Sequence, residues 1–278
     1  MPSSRCRGCL KPWHERSTKR LREVMNADNQ APSWDEHADW WIDGFTGGVD
    51  PEYEEQIIPL VVAELSQATR ILDVGCGEGQ VSRRLAAGRP DREVVGVDPT
   101  ERHIEVARSR GGGVAYQLAS VDRLPFDDNH FDAVVACLVF EHVDDLDAAI
   151  GEVSRVIAPG GTFLFLLNHP LLQTPNSGWI DDQILDPPEQ YWRIGEYLTE
   201  TVNIEEVEPG VRVRFVHRPL GRYINTLSAA GLVLEHMHEP PPPAGFLARC
   251  EEYAMASTIP RLLALRLRKL PASASVEG

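Results

Sequence analysis

The sequence predicts an α/β fold, a mostly parallel sheet with helices on both faces, and three stretches predict it. Arg70-Ile71-Leu72-Asp73-Val74 is a short aliphatic run that meets the turn Gly75-Cys76-Gly77-Glu78-Gly79, and a helix-like segment follows at 81–87. That order, strand then glycine turn then helix, opens a nucleotide-binding βαβ unit. Glu93-Val94-Val95-Gly96-Val97-Asp98 reads as a second buried strand ending in an acid. The run 131–140 is almost continuously apolar, as a strand buried on both faces of a parallel sheet must be.

Composition narrows the function classes. The 278 residues are 42% hydrophobic, enough for one substantial core with a small appended subdomain. A formal net charge of −15 opposes a nucleic-acid backbone as partner, because phosphates are held by basic surfaces. No run of eighteen apolar residues spans a membrane, and the N-terminus lacks a signal peptide's apolar core. Five scattered cysteines suit a reducing cytoplasmic setting better than a disulfide framework. The sequence leaves the oligomeric state open.

Residues 1–33 form a basic arm with little apolar periodicity, expected to be weakly ordered, and the tail 271–278 is expected to be disordered. Met25 is an alternative start. Cys6-x-x-Cys9 with His14 is half a zinc site without its second ligand pair, so no metal is expected. The remainder, 34–270, is expected to fold as one domain. Trp34, Trp40 and Trp41 crowd its first segment, and an amphipathic helix follows over 53–67 with Pro59 near its first turn.

The glycine turn decides the ligand. Gly75-x-Gly77-x-Gly79 is one residue short of the dinucleotide spacing Gly-x-Gly-x-x-Gly. The carboxylates of Asp73 and Glu78 would repel a pyrophosphate and suit a ligand carrying an amine and a sulfonium. This Asp-Val-Gly-Cys-Gly-x-Gly run resembles the first motif of the class I S-adenosylmethionine-dependent methyltransferases. The block 119–132, with Leu124-Pro125-Phe126 and Phe131-Asp132, is similar to a later block of that family, so the resemblance spans about 70–168.

The resemblance implies a Rossmann-like, seven-stranded, mostly parallel sheet whose last strand, here 259–269, is antiparallel. It implies S-adenosyl-L-methionine as cofactor, held by Asp73, Gly75, Cys76, Gly77 and Gly79 and by Asp98 and Pro99. Asp98 lies about 20 residues beyond the turn, where a βαβ unit places its ribose acid. The family's adenine-binding Asp is replaced by Ser120, whose hydroxyl, with the Val121 amide, stands in; Asp122 is the alternative. Cys137 and Leu138, at a strand's carboxyl end, are expected beside the transferable methyl.

The activity implied is methyl transfer to an oxygen, nitrogen or carbon atom of a small-molecule acceptor. The insertion 168–219 after the fifth strand is too long for a connecting loop and is expected to cap the substrate. It carries Trp179, Tyr191 and Trp192 and a hairpin of 199–204 with 211–217; with Trp34 and Trp41 these aromatics are the acceptor-side candidates. His142, His169 and His217 are the candidates for a base, and His142, directly after the fourth strand, is best placed. Methylation of tRNA, rRNA or protein, or S-adenosylmethionine binding without catalysis, remain alternatives.

Overall fold

The computed structural model describes residues 34–249 and 255–271. The arm 1–33 with Cys6, Cys9 and His14, nearly all of a helix expected at 251–256, and the tail beyond 271 lie outside the described residues. In chain order, α1 (Trp34–Phe45) is followed by a π-helical turn (Tyr53–Ile57) that runs into α2 (Ile58–Glu64). Next come β1 (Arg70–Val74), α3 (Gln80–Ala86), β2 (Glu93–Asp98), α4 (Glu101–Arg110) and β3 (Ala115–Leu118). Then follow β4 (Phe131–Cys137), α5 (Leu146–Val156), β5 (Ile157–Asn168) and the short α6 (Pro170–Gln173). Two hairpins, β6 (Gly178–Asp182) with β7 (Glu189–Arg193) and β8 (Thr201–Glu208) with β9 (Val211–His217), lead to α7 (Leu220–Ala229). The chain continues through β10 (Leu232–His238), α8 (Ala244–Leu247), a 3₁₀ turn (Ala256–Thr258) and β11 (Leu262–Lys269).

Seven strands form one sheet, as the resemblance implies, and their order is β10-β11-β5-β4-β1-β2-β3. The four pairs from β3 to β5 are parallel, and β11 inserts antiparallel between β5 and β10. Alternation on each strand assigns the two faces. Leu72, Val74, Val134, Ala136, Phe163 and Phe165 pack toward α5 and α7. Ile71, Ala133, Val135, Leu164 and Leu166 pack toward α2 and α3 through Val61, Leu65, Val81 and Leu85. A sheet covered on both sides has no polar face, which is why these strands read as unbroken apolar runs.

Several boundaries differ from expectation for local reasons. The fourth strand ends at Cys137, because Leu138 adopts a left-handed φ of 58° and turns the chain out of the sheet. Helix α5 begins at Leu146, and the Asp145 side chain caps it by accepting from the Ala148 amide (3.0 Å). The helix expected over 53–67 opens as a π turn and ends at Glu64. The hairpin β6–β7 was not foreseen, since its polar strands lack an apolar alternation. No described helix is long and apolar enough to cross a membrane.

Phe165 is fully buried among Phe140, Phe163 and Tyr223. Phe165→Ala should therefore cost about 3–5 kcal/mol of stability, seen as a lower urea midpoint at unchanged slope.

Candidate functional site

Strand order reverses between β1 and β4, so the chain leaves their carboxyl ends in opposite directions and opens a crevice there. A cavity of about 530 Å³ occupies that crevice, a volume typical of small-molecule sites. Of the sequence-predicted residues, Asp73, Gly75, Cys76, Gly77, Asp98, Pro99, Ser120, Val121, Cys137, Leu138, Trp34, Trp41 and His142 line it.

Asp98 organises the wall at the glycine turn. Its Oδ2 accepts from the Gly77 amide and its Oδ1 from the Thr100 amide, both at 2.9 Å. One carboxylate thereby ties the glycine turn after β1 to the start of α4, and each oxygen keeps acceptor capacity for a ligand. Gly77 has φ 53°, and a Cβ there would meet only the Trp41 indole nitrogen at 3.9 Å. The space beside this backbone is open for a ligand's close approach.

The two acids of the turn are handled differently. Asp73 is buried under the turn and accepts from the Ser82 hydroxyl, and burial pushes its pKa up to about 7. Glu78 is ion-paired with Arg83 (2.6 Å) and Arg110, which takes up the charge that the sequence offered to a ligand. Its Oε1 stays buried without a partner. Among the described residues no group of three His, Cys, Asp or Glu is placed to hold a metal.

Another wall of the cavity is built by elements distant in sequence. Helix α1 is tied to α4 by Arg102, whose side chain donates to Asp39 (2.9 Å) and whose amide donates to Asp35 (3.2 Å). Trp41 stacks on Phe45, and Trp34 meets the His142 ring edge-on at 4.9 Å. From the other side Phe215 of β9 approaches the same imidazole at 4.9 Å.

His142 Nδ1 faces the Arg214 carbonyl at 2.8 Å. A carbonyl only accepts, so Nδ1 carries the hydrogen and Nε2 keeps its lone pair. Burial lowers the pKa to about 4, and the imidazole is neutral at physiological pH. The loop bearing it is fastened at four more points. The Val216 amide donates to the Glu141 carbonyl (2.7 Å), and the buried Arg218 guanidinium donates to the carbonyls of Phe140, Val143 and Asp144. Glu141 is buried too. It accepts from the Asn168 side-chain amide (3.0 Å), and burial raises its pKa to about 7.

Six expected site residues do not line the cavity. Gly79 lies behind the turn as the N-cap of α3 with φ 84°, and a Cβ there would stand 2.2 Å from the Tyr116 hydroxyl. His169 caps α6, accepting from the Leu171 amide at Nδ1 (3.2 Å) and donating from Nε2 to Glu239 (2.8 Å). His217 donates from Nε2 to the Tyr197 carbonyl (2.8 Å). Trp179 and Trp192 pair across the β6–β7 hairpin with ring centroids 5.6 Å apart, and Tyr191 is largely exposed on the same hairpin.

The sequence reading in turn passed over Tyr53, His103, Asn168, Phe215 and Arg261, which do line the cavity. Only His103 carried a sequence signal, as the third residue of the helix behind Asp98-Pro99-Thr100, whose N-terminus faces the crevice. Tyr53 and Cys137 meet, the thiol donating to the phenol oxygen at 3.8 Å. Arg261, the only Lys or Arg among the described residues of the wall, is held bidentate by Glu52 (2.8 and 3.1 Å).

Residues 72–165 match the family model described as "Methyltransferase domain". The chain is 34% identical over 150 residues to a malonyl-[acyl-carrier protein] O-methyltransferase of Geobacter sulfurreducens, covering 52% of this chain and 53% of that protein. It is 34% identical over 123 residues to a demethylmenaquinone methyltransferase of Thermus thermophilus, covering 43% and 55%. The chain thus spans about half the length of the curated relatives it matches. Among solved structures, an S-adenosylmethionine-dependent methyltransferase from Mesorhizobium loti superposes with a TM-score of 0.63 at 28% identity, over 76% of this chain and 96% of that one.

Gly79→Ala should lower stability by about 1–3 kcal/mol, through left-handed strain and the Tyr116 clash, in a chemical-denaturation midpoint.

Proposed function

We propose, since residues 72–165 of this chain are a methyltransferase domain, that the protein transfers a methyl group from S-adenosylmethionine to an oxygen, nitrogen or carbon atom of a small molecule. Its carrying observation is Asp98 at the β2 terminus, anchored by two amides and facing an open glycine backbone. That donor set fits a ribose diol. The Gly75-Cys76-Gly77 turn and Asp73 take the amino-acid end, and Ser120, Val121 or Asp122 takes the base.

When bound, S-adenosylmethionine supplies a methyl on a sulfonium, open to in-line displacement. The protein's part is alignment and exclusion of water. Trp34, Trp41 and Phe215 enclose the region around His142, and residues 168–219 serve as the cap through β8 and β9. His142 Nε2 takes the acceptor's proton where the nucleophile is a hydroxyl or amine. With Arg261 engaged by Glu52, the wall presents no uncommitted Lys or Arg among its described residues, which favours an acceptor without a carboxylate or phosphate near the methyl. The catalytic domain is residues 34–270. The acidic charge speaks against RNA, and the buried free thiols of Cys76 and Cys137 suit the cytoplasm.

Calorimetric titration with S-adenosylhomocysteine tests the reading: Asp98→Ala should weaken binding at least about tenfold. Unchanged affinity removes Asp98 from the site, and no binding by the unmodified protein ends the proposal. His142→Asn should lower kcat by about 10²-fold or more with cofactor affinity retained, measured by transfer of labelled methyl to an acceptor found by screening. An equally active variant takes the base role away.

Asp73 adds a pH dependence. A cationic ligand favours its ionised form and so drives the pKa down from about 7. S-adenosylmethionine affinity should then fall as pH drops from 8 to 6, with protons released on binding near pH 6.5. The release is read as a binding enthalpy that differs between buffers of different ionisation heat, and Asp73→Asn should abolish it.

A further inference from the structure

His103 is 4% exposed in the cavity wall, and neither ring nitrogen has a hydrogen-bond partner. Its Nδ1 stands 3.5 Å from Asp98 Oδ1, an oxygen already accepting from the Thr100 amide. The ring lies 6.4 Å from that of Trp34. A buried polar group without a partner costs about 1–3 kcal/mol, which leucine or methionine would avoid at a purely packing position. The first turn of α4 instead holds an imidazole against the space that Asp98 faces.

We propose that His103 is a specificity-determining residue for the nucleoside, its ring N–H donating to a ribose hydroxyl oxygen whose own hydrogen goes to Asp98. This rests on the S-adenosylmethionine reading given above. A hydroxyl is one donor and two acceptor sites. A carboxylate can take its hydrogen but can give nothing back, so the oxygen lone pairs of a diol bound to Asp98 alone would stay unanswered in a buried wall. The imidazole supplies the missing donor from the adjacent helix turn. Two groups of opposite hydrogen-bonding sense then read one hydroxyl, and a sugar lacking it leaves the imidazole unpaired and takes one donor from Asp98. A site built in this way rejects the deoxy sugar more strongly than either group alone would.

The test is calorimetric titration of the full chain with S-adenosylhomocysteine and with its 2′-deoxy and 3′-deoxyribose analogues, for the unmodified protein and His103→Leu. His103→Ala, which cannot overpack, replaces the leucine variant if that variant fails to fold by circular dichroism. The expected result is about tenfold weaker S-adenosylhomocysteine binding in the variant. The analogue that lacks the contacted hydroxyl should bind variant and unmodified protein alike. Unchanged S-adenosylhomocysteine affinity in a folded variant overturns the assignment. So does an equal loss for all three ligands, which marks a structural role. If the unmodified protein binds none of them, the cofactor reading itself fails, a result distinct from either of these.

Discussion

The Asp98 carboxylate is the constraint on which the site depends. By accepting from Gly77 and Thr100 it joins the end of β2 to the glycine turn after β1 and to the first turn of α4. The turn needs such a tether. Gly75, Gly77 and Gly79 all take positive φ, and a backbone of that kind has more unfolded freedom to lose than any other. A side chain fixed at the end of a buried central strand is rigid enough to hold it. The same two oxygens that face the cavity therefore also order its glycine turn.

Burial concentrates ionisable groups at the strand ends, and each is treated differently. Glu78 is neutralised by two arginines, while Asp73 and Glu141 are pushed toward neutrality near pH 7. His142 is held neutral with a defined tautomer. These states follow from how deeply the fold buries each group and which partners it supplies. The charge count of the sequence says nothing about them, because formal charge assumes full hydration.

The β8–β9 hairpin does more than cover the cavity. Its second strand contacts the loop after β4 through the Arg214 carbonyl, the Val216 amide and the Phe215 ring, and Arg218 just beyond it grips three carbonyls of that loop. The hairpin that lines this part of the cavity thereby also orients His142. The β6–β7 hairpin has no such role at the cavity. Its two tryptophans answer each other, which is how a two-stranded ribbon without a core of its own gains apolar contact.

The sequence alone determined the sheet, the order of its core elements and the glycine-turn wall of the cavity. Those rest on short-range patterns: apolar runs for strands covered on both faces, glycines for left-handed turns, and an acid at a strand terminus. Each is a property of a few consecutive residues, so Gly77, Asp98 and Cys137 were legible in place. The tertiary structure decided the wall around His142, because its residues meet across long sequence separations. Phe215 reaches His142 from β9, Glu52 claims Arg261, and His169 and His217 are spent on a helix cap and a loop carbonyl. Whether a polar side chain is free for chemistry depends on which partners packing brings to it. For Gly79 the same reason holds in miniature: the motif showed a glycine, and only the position of Tyr116 showed that it serves the helix behind the turn rather than the ligand in front.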